Sequence, residues 1–261
     1  MGISVNWSAN TGSINTNYRI NAAGHNVRFT SSNLTSDRFE TNSPDKYITE
    51  YALNKAINEN PKIQSILNEA NIPAVLNMKE LREIQSHHAS DTKRIAAGII
   101  DNLPFSLKNK ADKYAVEQAA YLHDIGKVLI PSEILNKNSK LTAEETEIMH
   151  KHSELGYELL KNSGLDKKTL SLIKNHHQNA QKTGYPFVDN TFFADINQQI
   201  VSLADKYSAL TEKRSYKKPM TSKEALTVIL KDVNEGKYNP LIFNSLVKYS
   251  QQTENISYIK A

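Results

Sequence analysis

The histidines of this chain are crowded into its middle, and they constrain the fold more than any other feature. Seven of the eight lie between His87 and His177, and only His25 lies outside this window. We interpret the cluster as a set of metal ligands rather than an accident of surface composition, because these positions fall in segments with helical periodicity. A fold that uses them must bring several helices together at one place. They are His87, His88, His123, His150, His152, His176 and His177.

The adjacent pair His123 and Asp124 is the strongest candidate for a metal site. A neutral imidazole binds one ion, and the two oxygens of a carboxylate can bridge that ion to a second. Gly126 allows the backbone to turn tightly just after the pair. Lys127 adds a fixed positive charge where an anion would bind. The sequence therefore predicts a centre with two ions bridged by Asp124.

Composition excludes several classes of protein. The chain contains no cysteine, so disulfides and thiolate metal sites are excluded and any metal must bind nitrogen and oxygen ligands. This absence fits a reducing compartment, and we predict a cytoplasmic location. A net charge of +4 over 261 residues is too modest to predict binding to duplex nucleic acid. No run of about eighteen apolar residues is present, so no membrane span is predicted.

The chain divides into a polar beginning and a helical remainder. Residues 1–45 are rich in Asn, Ser and Thr, and we predict a disordered tail there. Alternating apolar residues at 3–7 and 27–29 leave short strands open as the alternative. Residues 46–76 are predicted as a helical lead-in, 77–252 as the metal-binding domain and 253–261 as a C-terminal tail. Because 46–252 shows no strand pattern and no internal repeat, we predict an all-α bundle around a metal centre.

Helix boundaries follow from capping residues. We predict helices over residues 79–102, 143–161, 166–177 and 195–211, and another that leads directly into His123. Capping boxes are expected at Thr142 with Glu145 and at Thr221 with Glu224. Further helix starts are predicted at residues 43–45, 60–61 and 239–240, where a proline follows a capping residue.

Helical phase separates ligands from bystanders within the histidine pairs. His152 lies one turn before Leu155 on the apolar side of its helix, whereas His150 faces another side and is predicted to be solvated. By the same argument, His88 lies on a face of its helix that is directed inward, and His87 lies on an exposed face. We therefore choose His152 and His88 as the ligand candidates.

Asp205 stands in the middle of an apolar helical segment. A buried carboxylate is costly unless a cation accompanies it. A metal ion would meet this need, and a salt bridge to a lysine remains the alternative.

Six short blocks follow one another between about residues 79 and 250. They read LHDIGKVLIP at 122–131, EIMHKH at 147–152, IKNHH at 173–177, GYP at 184–186, IVSLADKYSALT at 200–211 and RSYK at 214–217. In content and order they resemble the HD-GYP proteins of the HD superfamily of metal-dependent phosphohydrolases.

The resemblance implies an all-α bundle that holds two or three metal ions, commonly iron or manganese, and that hydrolyses cyclic di-GMP or a related cyclic dinucleotide. It implies that Lys127, Arg214 and Lys217 contact the substrate phosphate, and that Tyr185 and Pro186 belong to the loop that gives the family its second name. The metal ligands that it implies are His88, His123, Asp124, His152, His176, His177 and Asp205.

The chain departs from the family pattern at several positions. Gln178 and residues 181–183 replace blocks that usually contain carboxylates, and Lys182 adds a charge there. Ser208 replaces a second aspartate. Ile84 stands where members with three metals carry a glutamate, so we predict two ions and no third. None of these changes removes a ligand of the two-metal centre.

The function predicted from these residues is a phosphodiesterase. Two ions bridged by Asp124 would lower the pKa of a shared water, and the resulting hydroxide would attack phosphorus. Lys127 is expected to assist as a catalytic and phosphate-binding residue. Two alternatives stay open, namely an HD-type phosphohydrolase for another nucleotide and a non-catalytic module that binds a nucleotide or a partner. A signalling partner or a homodimer is possible for each.

Overall fold

A computed structural model of the chain describes residues 18–20, 26–28, 44–212 and 218–260. The backbone divides into two units, residues 1–46 and 47–261. In the first unit the strands β1 (Tyr18–Ile20) and β2 (Asn26–Arg28) pair in antiparallel register, with Arg19 opposite Val27. The alternation at residues 27–29 indicated a strand here. The rest of the predicted disordered tail lies outside the described residues.

The second unit is built from helices, and no strand occurs in residues 47–212 or 218–260. The predicted all-α fold is therefore confirmed for this part of the chain. None of the helices among the described residues combines the length and apolar character of a membrane span. The helices are α1 (Glu50–Glu59), α2 (Pro61–Glu69), α3 (Met78–Ile84), α4 (Ser90–Asp101), α5 (Phe105–Lys108), α6 (Lys113–Leu122), α7 (Ser132–Leu135), α8 (Ala143–Leu160), α9 (Lys167–Asn175), α10 (Ile196–Thr211), α11 (Ser222–Asn234) and α12 (Pro240–Lys260).

Most of the helix starts that we predict from capping residues are present in the structure. Both capping boxes form, at Thr142 with Glu145 on α8 and at Thr221 with Glu224 on α11. The Asn60 side chain accepts a hydrogen bond from the backbone of α2, as predicted. The start predicted at residues 43–45 is wrong, because that segment forms only a short 3₁₀ helix (Pro44–Tyr47). The α-helix begins at Glu50, where the Thr49 hydroxyl caps it.

The core lies where α4, α6 and α10 pack against one another. Helix α4 buries Ile95 and Ile99, and α6 buries Val116 and Ala119. Helix α10 is buried on almost every side from Asn197 to Asp205, so it is the central helix of the unit. Burial of this apolar surface supplies most of the driving force for folding. It also leaves Asn197, Gln198 and Ser202 of α10 with almost no access to bulk water.

A 3₁₀ helix at Ile125–Leu129 packs closely on α8 just after the His123–Asp124 pair. A Cβ atom at Gly126 would lie 1.9 Å from the carbonyl oxygen of His152. Gly126 is therefore required for close backbone approach, whereas the turn that the sequence predicts does not itself require glycine, because the φ of Gly126 is not positive. This contact brings Asp124 next to His152.

We predict that Gly126→Ala destabilises the protein by about 1–3 kcal/mol, because the added methyl group must displace backbone rather than a flexible side chain. Thermal or urea unfolding measures the effect. Gly156→Ala is the matched control, since its Cβ would meet the Ile125 side chain at 3.2 Å and needs only a small adjustment. Equal stability of the Gly126 variant and the wild type would contradict the packing argument.

Candidate metal centre

Two groups of ligands, buried except for the partly exposed His177, adjoin each other where several helices meet. The first group contains His88, His123 and Asp205. His88 lies in a π-helical turn (Gln85–Ala89) that interrupts the predicted 79–102 helix, and His123 follows the last residue of α6. Asp205 projects from α10, with its carboxylate 3.0 Å from His88 Nε2 and 3.6 Å from His123 Nε2.

The second group contains Asp124, His152, His176 and His177. His176 and His177 follow the end of α9, and His152 lies on the inner face of α8. The Nε2 atom of His152 is 3.2 Å from the Nε2 atoms of both His176 and His177. All seven predicted ligands are thus brought together by the fold.

Asp124 lies between the two groups and turns one oxygen toward each. Its Oδ1 is 3.3 Å from His152 Nε2 and 3.9 Å from His176 Nε2. Its Oδ2 is 3.3 Å from His123 Nε2 and 3.6 Å from His88 Nε2. This is the arrangement that a bridging carboxylate requires.

Hydrogen bonds on the outer nitrogens fix which way three of the imidazoles present their lone pairs. The Nδ1 atoms of His123, His152 and His176 lie 2.9, 2.6 and 2.7 Å from the carbonyl oxygens three residues earlier. A carbonyl can only accept, so each Nδ1 must carry the proton and donate. In its neutral form each ring therefore directs the lone pair of its Nε2 inward.

In the second group, the inward-facing ring nitrogens and carboxylate oxygen are therefore hydrogen-bond acceptors that lie next to other acceptors. His152 and His176 oppose their Nε2 lone pairs at 3.2 Å, and Asp124 Oδ1 is buried without a hydrogen-bond donor. Buried polar atoms need a partner, and only a cation can serve acceptors on every side. Nitrogen and oxygen ligands without thiolate suit divalent ions of the first transition row. The residues present therefore fit a divalent metal centre.

The carboxylates dominate the electrostatics of the first group. Burial opposes the charge on His123, yet Asp124 and Asp205 outweigh it and raise the pKa of His123 to about 10. Burial also opposes the charge on His88, but hydrogen bonds with Asp205 and Glu212 raise its pKa. Burial alone would raise the pKa of Asp124, and the charges of His123 and Lys127 hold that pKa well below its usual range. Both carboxylates are ionised, which is the state that a metal ligand needs.

The second group is governed by burial. Loss of hydration lowers the pKa of His152 to about 3 and that of His177 to about 4. The pKa of His176 is lowered as well, first by burial and then by the neighbouring histidines. These rings are neutral at physiological pH, so no proton competes for their Nε2 atoms.

The structure separates the histidine pairs as helical phase predicted. His88 is buried in the cluster, whereas His87 is exposed and contacts the Ser86 hydroxyl. The prediction that His150 is solvated is wrong. Its ring is half-buried and stacks on Tyr185 at 3.7 Å between centroids, because the loop at 184–186 folds back over α8.

Lys127 and Tyr185 lie at the edge of the ligand cluster. The Lys127 ammonium is 2.6 Å from Asp124 Oδ2, and its side chain is 19% exposed. The Tyr185 ring lies 4.4 Å from the His177 ring, and burial raises the pKa of its phenol, which stays protonated. Pro186 follows in the same loop. Arg214 and Lys217 lie outside the described residues, so their predicted phosphate contacts stay predictions.

Gln178 has a role that the sequence did not reveal. Its buried side chain accepts from the Gly184 N–H at 3.3 Å and donates to the Pro186 carbonyl at 2.6 Å. It therefore ties the loop to the end of α9 instead of leaving a gap at the rim of the site. The Lys182 ammonium keeps its charge and donates to the Asn190 carbonyl at 2.8 Å.

Two further residues touch the cluster from α10. Ser208 Oγ lies 3.2 Å and Glu212 Oε2 lies 3.4 Å from His88 Nδ1. Sequence reasoning noted Ser208 only as a departure and missed Glu212. The spacing 205, 208, 212 places all three on one helical face, and this periodicity was the available signal.

We predict that His88→Ala lowers the amount of Mn²⁺ bound per chain, whereas His87→Ala leaves it unchanged, because only His88 reaches the cluster. Equilibrium dialysis with elemental analysis measures both variants. Equal losses in the two variants, or a loss confined to His87→Ala, would contradict the assignment.

Comparisons with known proteins agree with this geometry. A family model described as an HD domain matches residues 76–242. A cyclic di-GMP phosphodiesterase from Thermotoga maritima is 30% identical over 186 residues, which cover 70% of this chain and 50% of that protein. A 3'3'-cGAMP-specific phosphodiesterase 2 from Vibrio cholerae is 40% identical over 114 residues, covering 42% of this chain and 21% of that protein. The chain thus spans half or less of the length of these relatives.

Among solved structures, the chain is similar to Bd1817, an HDG"Y"P protein from Bdellovibrio bacteriovorus. The TM-score is 0.51 at 18% sequence identity, and the match covers 80% of this chain and 65% of that one. A likeness at this level of identity concerns the fold alone, and it places the helical bundle among known HD-type folds.

Proposed function

This chain belongs to the HD-domain family, in its HD-GYP branch, and from this premise we propose that it is a metal-dependent phosphodiesterase for a cyclic dinucleotide. The single observation that carries the proposal is the convergence of histidine Nε2 atoms from both ligand groups on Asp124, which turns one carboxylate oxygen toward each group. A metal centre of this kind needs no serine or cysteine nucleophile. The reaction class is hydrolysis of a phosphodiester.

We further propose two ions, iron or manganese. The first would be held by His88, His123 and Asp205 and the second by His152, His176 and His177, with Asp124 shared. When bound, such ions supply an acidified water and neutralise charge on phosphate oxygens. The absence of a third ion stays a prediction that rests on Ile84.

The remaining roles belong to the chain's own residues around the ligands. Asp124 fixes the position of the two ligand groups relative to each other, because its one carboxylate contacts both. Lys127, fixed by its ion pair with Asp124, presents a cation at the mouth of the site, where a charge-assisted hydrogen bond to a phosphate oxygen is strongest. Tyr185 offers a protonated phenol and an aromatic face at the rim. Arg214 and Lys217 are proposed as further phosphate contacts from the segment outside the described residues.

Tyr185 is held on several sides, which supports a role in orienting the substrate. His150 stacks on one face of its ring, the His177 ring lies near it, and Gln178 secures the backbone on either side of it. An aromatic ring that is fixed in this way has little conformational entropy to lose on binding a base.

The substrate class comes from the relatives, whose names cite cyclic di-GMP and 3'3'-cGAMP. The ligand set is common to phosphohydrolases, so a different nucleotide is the second candidate for the substrate. The altered loop at 181–183 is a reason to test this candidate. A cytoplasmic location, a homodimer and a signalling partner stay predictions.

We predict that the wild type loaded with Mn²⁺ hydrolyses a cyclic dinucleotide and that Asp124→Asn abolishes turnover and removes at least one bound ion. The amide keeps the shape of the carboxylate but loses its charge, so it cannot bridge two cations. Turnover is measured by chromatography over cyclic di-GMP, 3'3'-cGAMP, linear dinucleotides and nucleotide monoesters. Metal content is measured on the same samples.

Asp232→Asn is the matched control, since Asp232 is also ion-paired, with Lys206 and Lys237, but lies outside the ligand cluster. This variant should keep its metal and its turnover. Hydrolysis of monoesters alone would favour the second candidate. Full activity and full metal content in Asp124→Asn would contradict the bridged centre.

A further inference from the structure

His88 is oriented differently from three other histidines of the cluster. His123, His152 and His176 donate through Nδ1 to backbone carbonyls three residues earlier. His88 lies in the π-helical turn, and the groups at its Nδ1 are side chains of another helix, Ser208 at 3.2 Å and Glu212 at 3.4 Å. Its orientation therefore depends on α10 rather than on its own backbone.

Helix α10 contacts both nitrogens of this ring. Asp205 Oδ1 is 3.0 Å from Nε2, and Glu212, which follows the last residue of the helix, reaches Nδ1. The His88 side chain is only 7% exposed, so these groups, rather than water, dominate its surroundings. Positions 205, 208 and 212 recur at intervals of three and four and therefore share one face.

The two groups at Nδ1 differ in what they can do. A hydroxyl both donates and accepts, so Ser208 can pair with either tautomer of His88. An ionised carboxylate only accepts, so Glu212 requires a proton on Nδ1. With Nδ1 held protonated in this way, a metal ion can take the place of the proton that Nε2 shares with Asp205, and the ring is then in the form of imidazole that binds a metal ion.

We propose that Glu212 is the positioning residue for His88 and supplies from position 212 the carboxylate that this chain lacks at position 208. It fixes the tautomer and the ring orientation of His88 without itself entering the ligand cluster. The inference rests on the metal centre of the proposed function. The carboxylate–histidine pair of this chain is then Glu212 with His88, and Glu212 lies one helical turn beyond Ser208.

The test is Mn²⁺ binding by the full chain, measured by isothermal titration calorimetry for the wild type and four variants. Glu212→Ala removes the acceptor and should weaken the Mn²⁺ site that contains His88 by about 10- to 100-fold. Glu212→Gln keeps the size but can donate as well as accept, so a smaller loss is expected. Glu235→Ala is the matched control, because Glu235 likewise follows the last residue of a helix but pairs with Lys237.

The fourth variant combines Ser208→Asp with Glu212→Ala and returns a carboxylate to the position beside His88 Nδ1. It should recover most of the lost Mn²⁺ affinity. If Glu212 had a merely structural role, a carboxylate at position 208 would not restore the Mn²⁺ affinity. Nitrogen NMR of the metal-free protein gives a second readout, since Glu212→Ala should reduce the population of His88 with its proton on Nδ1.

The outcomes distinguish a failure of the role assigned to Glu212 from a failure of the proposed metal centre. If the wild type binds no Mn²⁺, the metal centre fails and Glu212 loses its role with it. If the wild type binds Mn²⁺ and Glu212→Ala binds it within twofold with an unchanged His88 tautomer, Glu212 is not a positioning residue while the metal centre stands. Loss in Glu212→Ala without rescue by the double variant would also overturn the inference.

Discussion

The structure depends on a group of buried acceptors, in the second ligand group, that no donor among the described residues satisfies. His152 and His176 direct lone pairs at each other across 3.2 Å, and the buried Asp124 Oδ1 has no donor. Such an arrangement is unfavourable without a cation, so the fold must compensate by apolar burial elsewhere. The buried faces of α4, α6 and α10 provide it, and the packing of these helices at the same time holds ligands such as His123 and Asp205 in place. Core packing and metal binding are thus linked.

The sequence predicted those features that depend on local periodicity. Capping boxes, the burial of His88 but not of His87, and the buried position of Asp205 all follow from spacing along one helix. The alternative of a lysine partner for Asp205 is not supported, since its ion pairs among the described residues are with His88, His123 and His177. These predictions succeeded because a buried face has a period that can be read without knowing its neighbours.

Features that depend on contacts between elements were not predictable. His150 stacks on Tyr185 only because a loop 35 positions later returns to α8, and no pattern within α8 indicates this. Gln178 was interpreted as a missing carboxylate, yet the loop it holds presents one donor and one acceptor, which an amide matches and a carboxylate does not. Glu212 was missed for a similar reason, because its partner His88 is more than a hundred residues away in the sequence.

The most direct test of the central claim is anomalous diffraction from crystals grown with Mn²⁺, with data collected on both sides of the manganese edge. We predict two peaks, one among His88, His123 and Asp205 and the other among His152, His176 and His177, with an oxygen of Asp124 next to each. A single peak, or two peaks that do not share Asp124, would contradict the bridged centre.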